Sequence, residues 1–224
     1  MKKYKRKRNR RQYALMMLTL VLLAGMIHMS VNGGSLFAER AKRDMEVREG
    51  WGTTELIWRK QVSTTLEGNR SICLYTIEDA FIIAEQSWSP LEGWYTGAMA
   101  KVETRENRPV QAGFEFYQEG ETCIMYLAGK ITDADVDPEN ITYQLWWYEQ
   151  AREEYRIRPE DCFQNQGDWY FVRAIDVSDK ESPMSCIVLS RVMDDNGEPI
   201  CWDDGYADDY GEWMVVSEST YVDQ

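Results

Sequence analysis

The most unusual stretch of this chain is Trp202-Asp203-Asp204-Gly205-Tyr206-Ala207-Asp208-Asp209-Tyr210-Gly211-Glu212-Trp213. Paired carboxylates beside glycine turns offer the oxygen ligands that Ca²⁺ takes. Asp203, Asp204, Asp208 and Asp209 are therefore the candidate metal ligands, and Ca²⁺ is the ion they would suit. Their spacing does not follow the helix-loop-helix calcium pattern. A second acidic series, Asp133-x-Asp135-x-Asp137, opens like that pattern. It then places Pro138 where glycine is required and Gln144 where the bidentate glutamate belongs. Acidic loops of this kind are more often solvated than metal-bound, so the chain is read as having no cofactor.

Aromatic residues are the other candidates. Along Ile141–Tyr148, Ile141, Tyr143, Leu145 and Trp147 alternate with Thr142, Gln144, Trp146 and Tyr148. Alternation of period two places the two sets on opposite faces of a strand. The first set reads as core. The second is polar and ends in two large rings. Trp146 and Tyr148, with Trp202 and Trp213, are the candidate binding residues for a sugar ring or a protein partner, since aromatics dominate binding hot spots. Packing beneath a loop or a second sheet would use the same rings.

Much chemistry is excluded. The one histidine, His28, lies in an apolar segment. Nucleophilic sites that need an imidazole beside Ser or Cys therefore lack it. Zinc sites built on histidine lack their ligands. Neither a phosphate-binding G-x-x-x-x-G-K-[ST] loop nor a G-x-G-x-x-G dinucleotide loop is present. Carboxylate chemistry survives. A glycosidase needs two facing acids with aromatic walls, and the 38 acids and nine tryptophans leave that open.

These residues must be held by something, and charge distribution says where. Residues 1–12 carry eight Lys and Arg and no acid. The rest carries 17 basic against 38 acidic residues, a net charge of −21. A domain that acidic repels polyphosphate, so nucleic acid is not an expected partner. Ala14 to Val31 follows the basic stretch, eighteen residues without a charge. At a rise of ~1.5 Å per residue it spans about 27 Å, close to a bilayer core. Cations before such a segment stay in the cytoplasm. The expected layout is a basic cytoplasmic tail at 1–12, a transmembrane signal anchor at 13–31, a juxtamembrane helix at 32–50 and an acidic domain outside the membrane at 51–224. Small residues at Gly33 and Ala38 are poor cleavage signals. Cleavage there would make the protein secreted instead of anchored.

Residues Ala38 to Glu49 mix both charge signs and end at Gly50, which reads as a solvated helix stopped by glycine. Beyond Trp51 come short apolar runs separated by turns. Strands are expected at Glu55–Ser63, Ser71–Tyr75, Trp94–Glu103, Val110–Tyr117, Thr122–Leu127, Ile141–Tyr148, Trp169–Val177, Ser185–Met193 and Trp213–Ser217. Thr76–Ser87 is expected as a helix capped by Thr76, with a buried strand at Phe81-Ile82-Ile83 as the alternative. A sub-boundary is expected in the polar, turn-rich stretch near 131–140. The fold class is mainly β: a transmembrane helix, then a β-sandwich-like or partly open barrel domain with short helices.

Asn196-Gly197 is a hairpin signal, expected as a two-residue turn that sets Asp195 opposite Glu198. In that register Cys186 and Cys201 lie far apart and are not bonded. Cys73, Cys123, Cys162, Cys186 and Cys201 make an odd total. At least one therefore stays outside any intrachain pair. Small buried apolar thiols and one or two bridges both fit. Three functional expectations follow, in order: a membrane-anchored interaction module binding a protein partner, for instance within an envelope complex; a carbohydrate-binding domain at the cell surface; and a carboxylate-based glycosidase.

Overall fold

The computed structural model describes residues 2–31, 34–65, 68–105, 108–147, 152–200, 213–216 and 220–221. Two helices come first, α1 (Lys2–Val31) and α2 (Ala38–Arg48). Strands follow: β1 (Glu55–Thr65), β2 (Gly68–Ile77), β3 (Ala80–Ser89), β4 (Gly93–Glu103), β5 (Val110–Glu119) and β6 (Thr122–Ile131). Then come β7 (Ile141–Trp147), β8 (Glu153–Arg156), β9 (Cys162–Asn165), β10 (Asp168–Asp176), β11 (Cys186–Val192), β12 (Met214–Val215) and β13 (Thr220–Tyr221). With these strands in three antiparallel sheets and two helices among the described residues, the fold is mainly β. The sheets run β1-β2-β3-β4-β13, β5-β6-β10-β9 and β12-β11-β7-β8.

The chain divides into two compact units. The first takes in Met1–Thr53, Lys60–Ile72 and Glu85–Gly97. Its α1 is one continuous helix from Lys2, so the basic stretch is helical. The window Arg10–His28 is long and apolar enough to cross a membrane, and none of it is buried. After α1, Ser35 and Trp94 exchange backbone hydrogen bonds of 2.7 and 2.6 Å. Helix α2 buries Ala41 and Met45, one turn apart on a single face. It ends as its glycine suggests. Gly50 has φ +68. Its N–H donates to the Val47 carbonyl at 3.2 Å, and that of Trp51 to the Glu46 carbonyl at 2.8 Å. Those two bonds satisfy carbonyls that a helix end leaves open.

The second unit takes in Thr54–Arg59, Cys73–Ala84 and Ala98–Gln224. Its centre is one apolar core shared by the two four-stranded sheets. From β5-β6-β10-β9 it takes Cys123, Met125, Leu127, Phe171 and Ile175. From β12-β11-β7-β8 it takes Ile141, Tyr143, Leu145, Trp147, Val188 and Val192. Members on one strand are two or four residues apart, as inward-facing residues must be. The Tyr143 and Phe171 rings meet with centroids 5.9 Å apart. The stretch between Ile131 and Ile141 connects β6 to β7 and contributes Val136 to the same core.

Three expectations change. Thr76–Ser87 is not a helix: most of it is β3, which follows β2 after the turn residues Glu78 and Asp79. Glu78 takes φ +39, an uncommon conformation for a side chain of its size. Ala80 to Ala84 are all buried, so this strand has no polar face to reveal its period. The 196–197 hairpin has a three-residue turn. Met193 pairs with Pro199, and Asp194 N–H donates to the Glu198 carbonyl at 2.8 Å. Gly197, at φ +81, supplies the left-handed residue such a turn needs. Two short strands, β8 and β9, were not expected; their sequences Glu-Glu-Tyr-Arg and Cys-Phe-Gln-Asn carry little strand signal.

Candidate functional site

The outward face of the β12-β11-β7-β8 sheet holds the sequence candidates that the structure describes. Register places Ile187 opposite Trp146, Leu189 opposite Gln144 and Arg191 opposite Thr142. On the other side Thr142 faces Arg156 and Gln144 faces Glu154. Residues directly opposite one another point to the same face; along it Thr142, Gln144 and Leu189 are buried, and the open part lies at Ile187, Trp146 and the exposed β8 side chains.

Two arginines stack on two tryptophans there. The Arg152 guanidinium carbon lies 4.6 Å from the Trp146 ring centroid. That of Arg191 lies 4.4 Å from the Trp213 ring. Each distance suits a cation over an aromatic face. Polar bonds fix the first pair. Arg152 Nη1 donates to Gln144 Oε1 at 3.3 Å, and Gln144 Nε2 donates to Glu154 Oε1 at 3.4 Å. Trp213 is buried at 9% exposure, whereas Ile187 at 39% is open to solvent. Trp146 is half-buried, and Arg152, Glu154 and Arg156 are exposed. Alternation pointed to Trp146. Its arginine partner could be found only from register: the pairing Leu145 with Glu153, continued by one residue, sets Trp146 opposite Arg152.

The inward edge of the same sheet carries a charged network. Lys180 Nζ donates to Glu153 Oε1 at 2.6 Å, and the Tyr155 hydroxyl donates to Glu153 Oε2 at 2.7 Å. The Lys180 hydrogen bond, with that of Tyr155, holds the Glu153 carboxyl below its ordinary range. In return the Glu153 bond holds the Lys180 ammonium above its own. Arg173 pairs with Asp161 at 2.8 Å and lies 5.8 Å from the Tyr155 ring. Partners of opposite charge on a half-buried edge make this a structural clamp.

The remaining candidates are placed as follows. Tyr148, Trp202, Asp203, Asp204, Asp208 and Asp209 lie outside the described residues. Asp133 and Asp137 cap turns: their carboxylates accept from the backbone N–H of Asp135 and Glu139, both at 3.0 Å. Among the described residues, no three His, Cys, Asp or Glu side chains are grouped to hold a metal ion. A cavity of about 310 Å³ beside the β2–β3 turn is lined in part by Glu78, Asp79, Lys101 and Glu103. Lys101 pairs there with Glu103 at 3.5 Å. No family model, curated protein or solved structure matches this chain.

Proposed function

We propose that this chain is a single-pass membrane protein that holds a sandwich-like β domain outside the cell membrane and uses it to bind a protein partner. One observation carries the anchor. Helix α1 is long and apolar, and its side chains from Leu15 to Leu23 are more than half exposed. Apolar residues left in water at that density need another solvent, and a bilayer supplies it. The eight cations at its start favour a cytoplasmic N-terminus.

Support for a protein partner comes from the outward face of β7, β8 and β11. Arginine and tryptophan are enriched where binding energy concentrates. Here the arginines are pre-positioned on rings, and exposed Ile187 adds apolar area beside them. Trp146 and Trp213 carry guanidinium groups on the faces that a sugar ring would stack on, so this arrangement favours a protein over a glycan.

Fractionation of cells expressing the full chain tests the anchor. The protein should stay with membranes after alkaline carbonate extraction, and protease added to intact cells should digest its β domain. A product free in the medium, with its N-terminus beyond Gly33, would replace the anchor with secretion. For the face, Arg152→Glu should abolish crosslinking to a membrane partner that the parent chain captures, with the far-ultraviolet spectrum unchanged. Undiminished crosslinking would move the partner elsewhere.

A further inference from the structure

We propose that Cys123 and Cys186 are a disulfide pair, closed across the core of the second unit when the chain meets a disulfide-bearing oxidant. Both are free thiols in this structure. The inference rests on the proposed outward placement only for where the oxidant is met, since disulfides persist outside the cytoplasm.

Parity puts both sulfurs on the inside. Cys123 shares a face of β6 with Met125 and Leu127, and Cys186 shares a face of β11 with Val188 and Val192. Cys123 belongs to the core, and Cys186 packs against it.

Level puts them at the same end. The Tyr143–Phe171 contact ties the two sheets together. Four residues along β7 from Tyr143 stands Trp147, whose register partner is Cys186. Six residues along from Phe171 stands Val177, whose N–H donates to the Cys123 carbonyl at 2.9 Å. The connection from Val177 to Cys186 binds these two ends together. The Ser178 hydroxyl accepts from the Cys123 N–H at 2.8 Å. Lys180 Nζ lies 5.1 Å from the Trp147 ring. The Pro183 carbonyl accepts from Trp147 Nε1 at 3.1 Å. One short loop thus clasps the neighbour of one cysteine to the neighbour of the other. The sulfurs also sense one another. Burial pushes the Cys186 thiol up to about 11, and charge on Cys123 adds to the rise.

Other described cysteines do not compete. Cys162 packs on the same core, but its register partner is Phe171, six residues from Val177. At ~3.3 Å per residue that is about 20 Å, well beyond the ~7 Å a disulfide tolerates. Cys73 is buried on β2, outside this core.

The chemistry balances as two exchanges. Cys186 is the more accessible thiol. Its thiolate attacks one sulfur of the oxidant disulfide and expels the other as a thiolate, leaving a mixed disulfide. Cys123, deprotonated, then attacks the Cys186 sulfur and expels the second thiolate. Two protein thiols are oxidised, one disulfide is reduced, and the two protons end on the released thiols.

Full-length protein in detergent, equilibrated with oxidised glutathione, tests this. Counting free thiols with a maleimide mass tag should show two of the five lost per chain. Non-reducing peptide mapping should join the Cys123 and Cys186 peptides within one chain. Cys123→Ala and Cys186→Ala should each lose no pair, whereas Cys162→Ala should still lose two thiols. If a single variant fails to fold, the map of the parent protein decides alone. No thiol loss, a stable glutathione adduct on Cys186, or a bond from Cys186 to Cys201 would each overturn the pair. Protease treatment of intact cells reports placement separately. A bond formed in the tube by a domain found inside cells would remove the placement and keep the pair.

Discussion

Phe171 on β10 lies against Gly129, its register partner on β6, so closely that a Cβ at 129 would enter the ring. The Gln111 carbonyl closes the site from the other side. Glycine is required here for space, because no positive φ is involved. Phe171 is fully buried and touches Tyr143 across the core. Gly129→Ala should therefore cost about 1–3 kcal/mol by overpacking. Urea midpoints check it. A midpoint equal to the parent's would show that Phe171 has room to move.

The Tyr143 hydroxyl is buried in the core and has no hydrogen-bond partner among the described residues. Burial pushes its pKa far above the usual phenol range. An unsatisfied buried hydroxyl costs on the order of 1–3 kcal/mol. Tyr143→Phe keeps the ring against Phe171 and removes that cost. The variant should be more stable than the parent by about 1 kcal/mol, read as a higher urea midpoint with an unchanged slope. A drop would mean that water or another group bonds the hydroxyl.

How much of this was readable from the residues alone follows from the range of each interaction. Gly50 ended α2 as its type suggests, because a helix stop is decided within three residues. Alternation on Ile141–Trp147 marked the apolar face that joins the core, but Thr142 and Gln144 on the polar face are buried as well. Phe81-Ile82-Ile83-Ala84 misled because a strand buried on both faces has no period, and its turn at Glu78 uses no glycine or asparagine. Trp146 was legible, but Arg152 was not: their contact depends on where the β7–β8 pairing is set. Cys123 and Cys186 are beyond such reading altogether. They belong to different sheets, and only the core that those sheets share brings them together.

The Glu153–Lys180 pair should make stability depend on pH. Glu153 has a folded pKa below the ordinary 4.5. Its contribution is therefore present above the unfolded value and is lost as pH falls through the lowered folded value. Lys180 has a folded pKa above 10.5, so its contribution is present below that and is lost as pH rises through the raised value. Lys180→Gln should be less stable than the parent at neutral pH. The gap should close in acid, once Glu153 is protonated in both proteins. Thermal midpoints at the two pH values check it. A gap of constant size would assign the effect to packing of the lysine stem on Trp147.

The proposed anchor is tested at Val21 and Leu22. They stand near the centre of the uncharged stretch Ala14–Val31, with 64% and 60% of their surfaces exposed. Neither is buried, so neither contributes to the core of the second unit. Arginine at the centre of a membrane helix costs about 2.5–3.5 kcal/mol on insertion scales. The double variant Val21→Arg, Leu22→Arg should therefore lose membrane insertion by a factor of at least 10³, on about 5 kcal/mol in all. Its β domain should keep the parent's near-ultraviolet spectrum and urea midpoint, because no core contact is lost. The two readouts separate the possibilities. Loss of membrane association with an unchanged domain is the anchor's signature. A domain that unfolds with the substitution would mean that α1 is a core helix, and membrane retention despite two central arginines would place the anchor elsewhere in the chain.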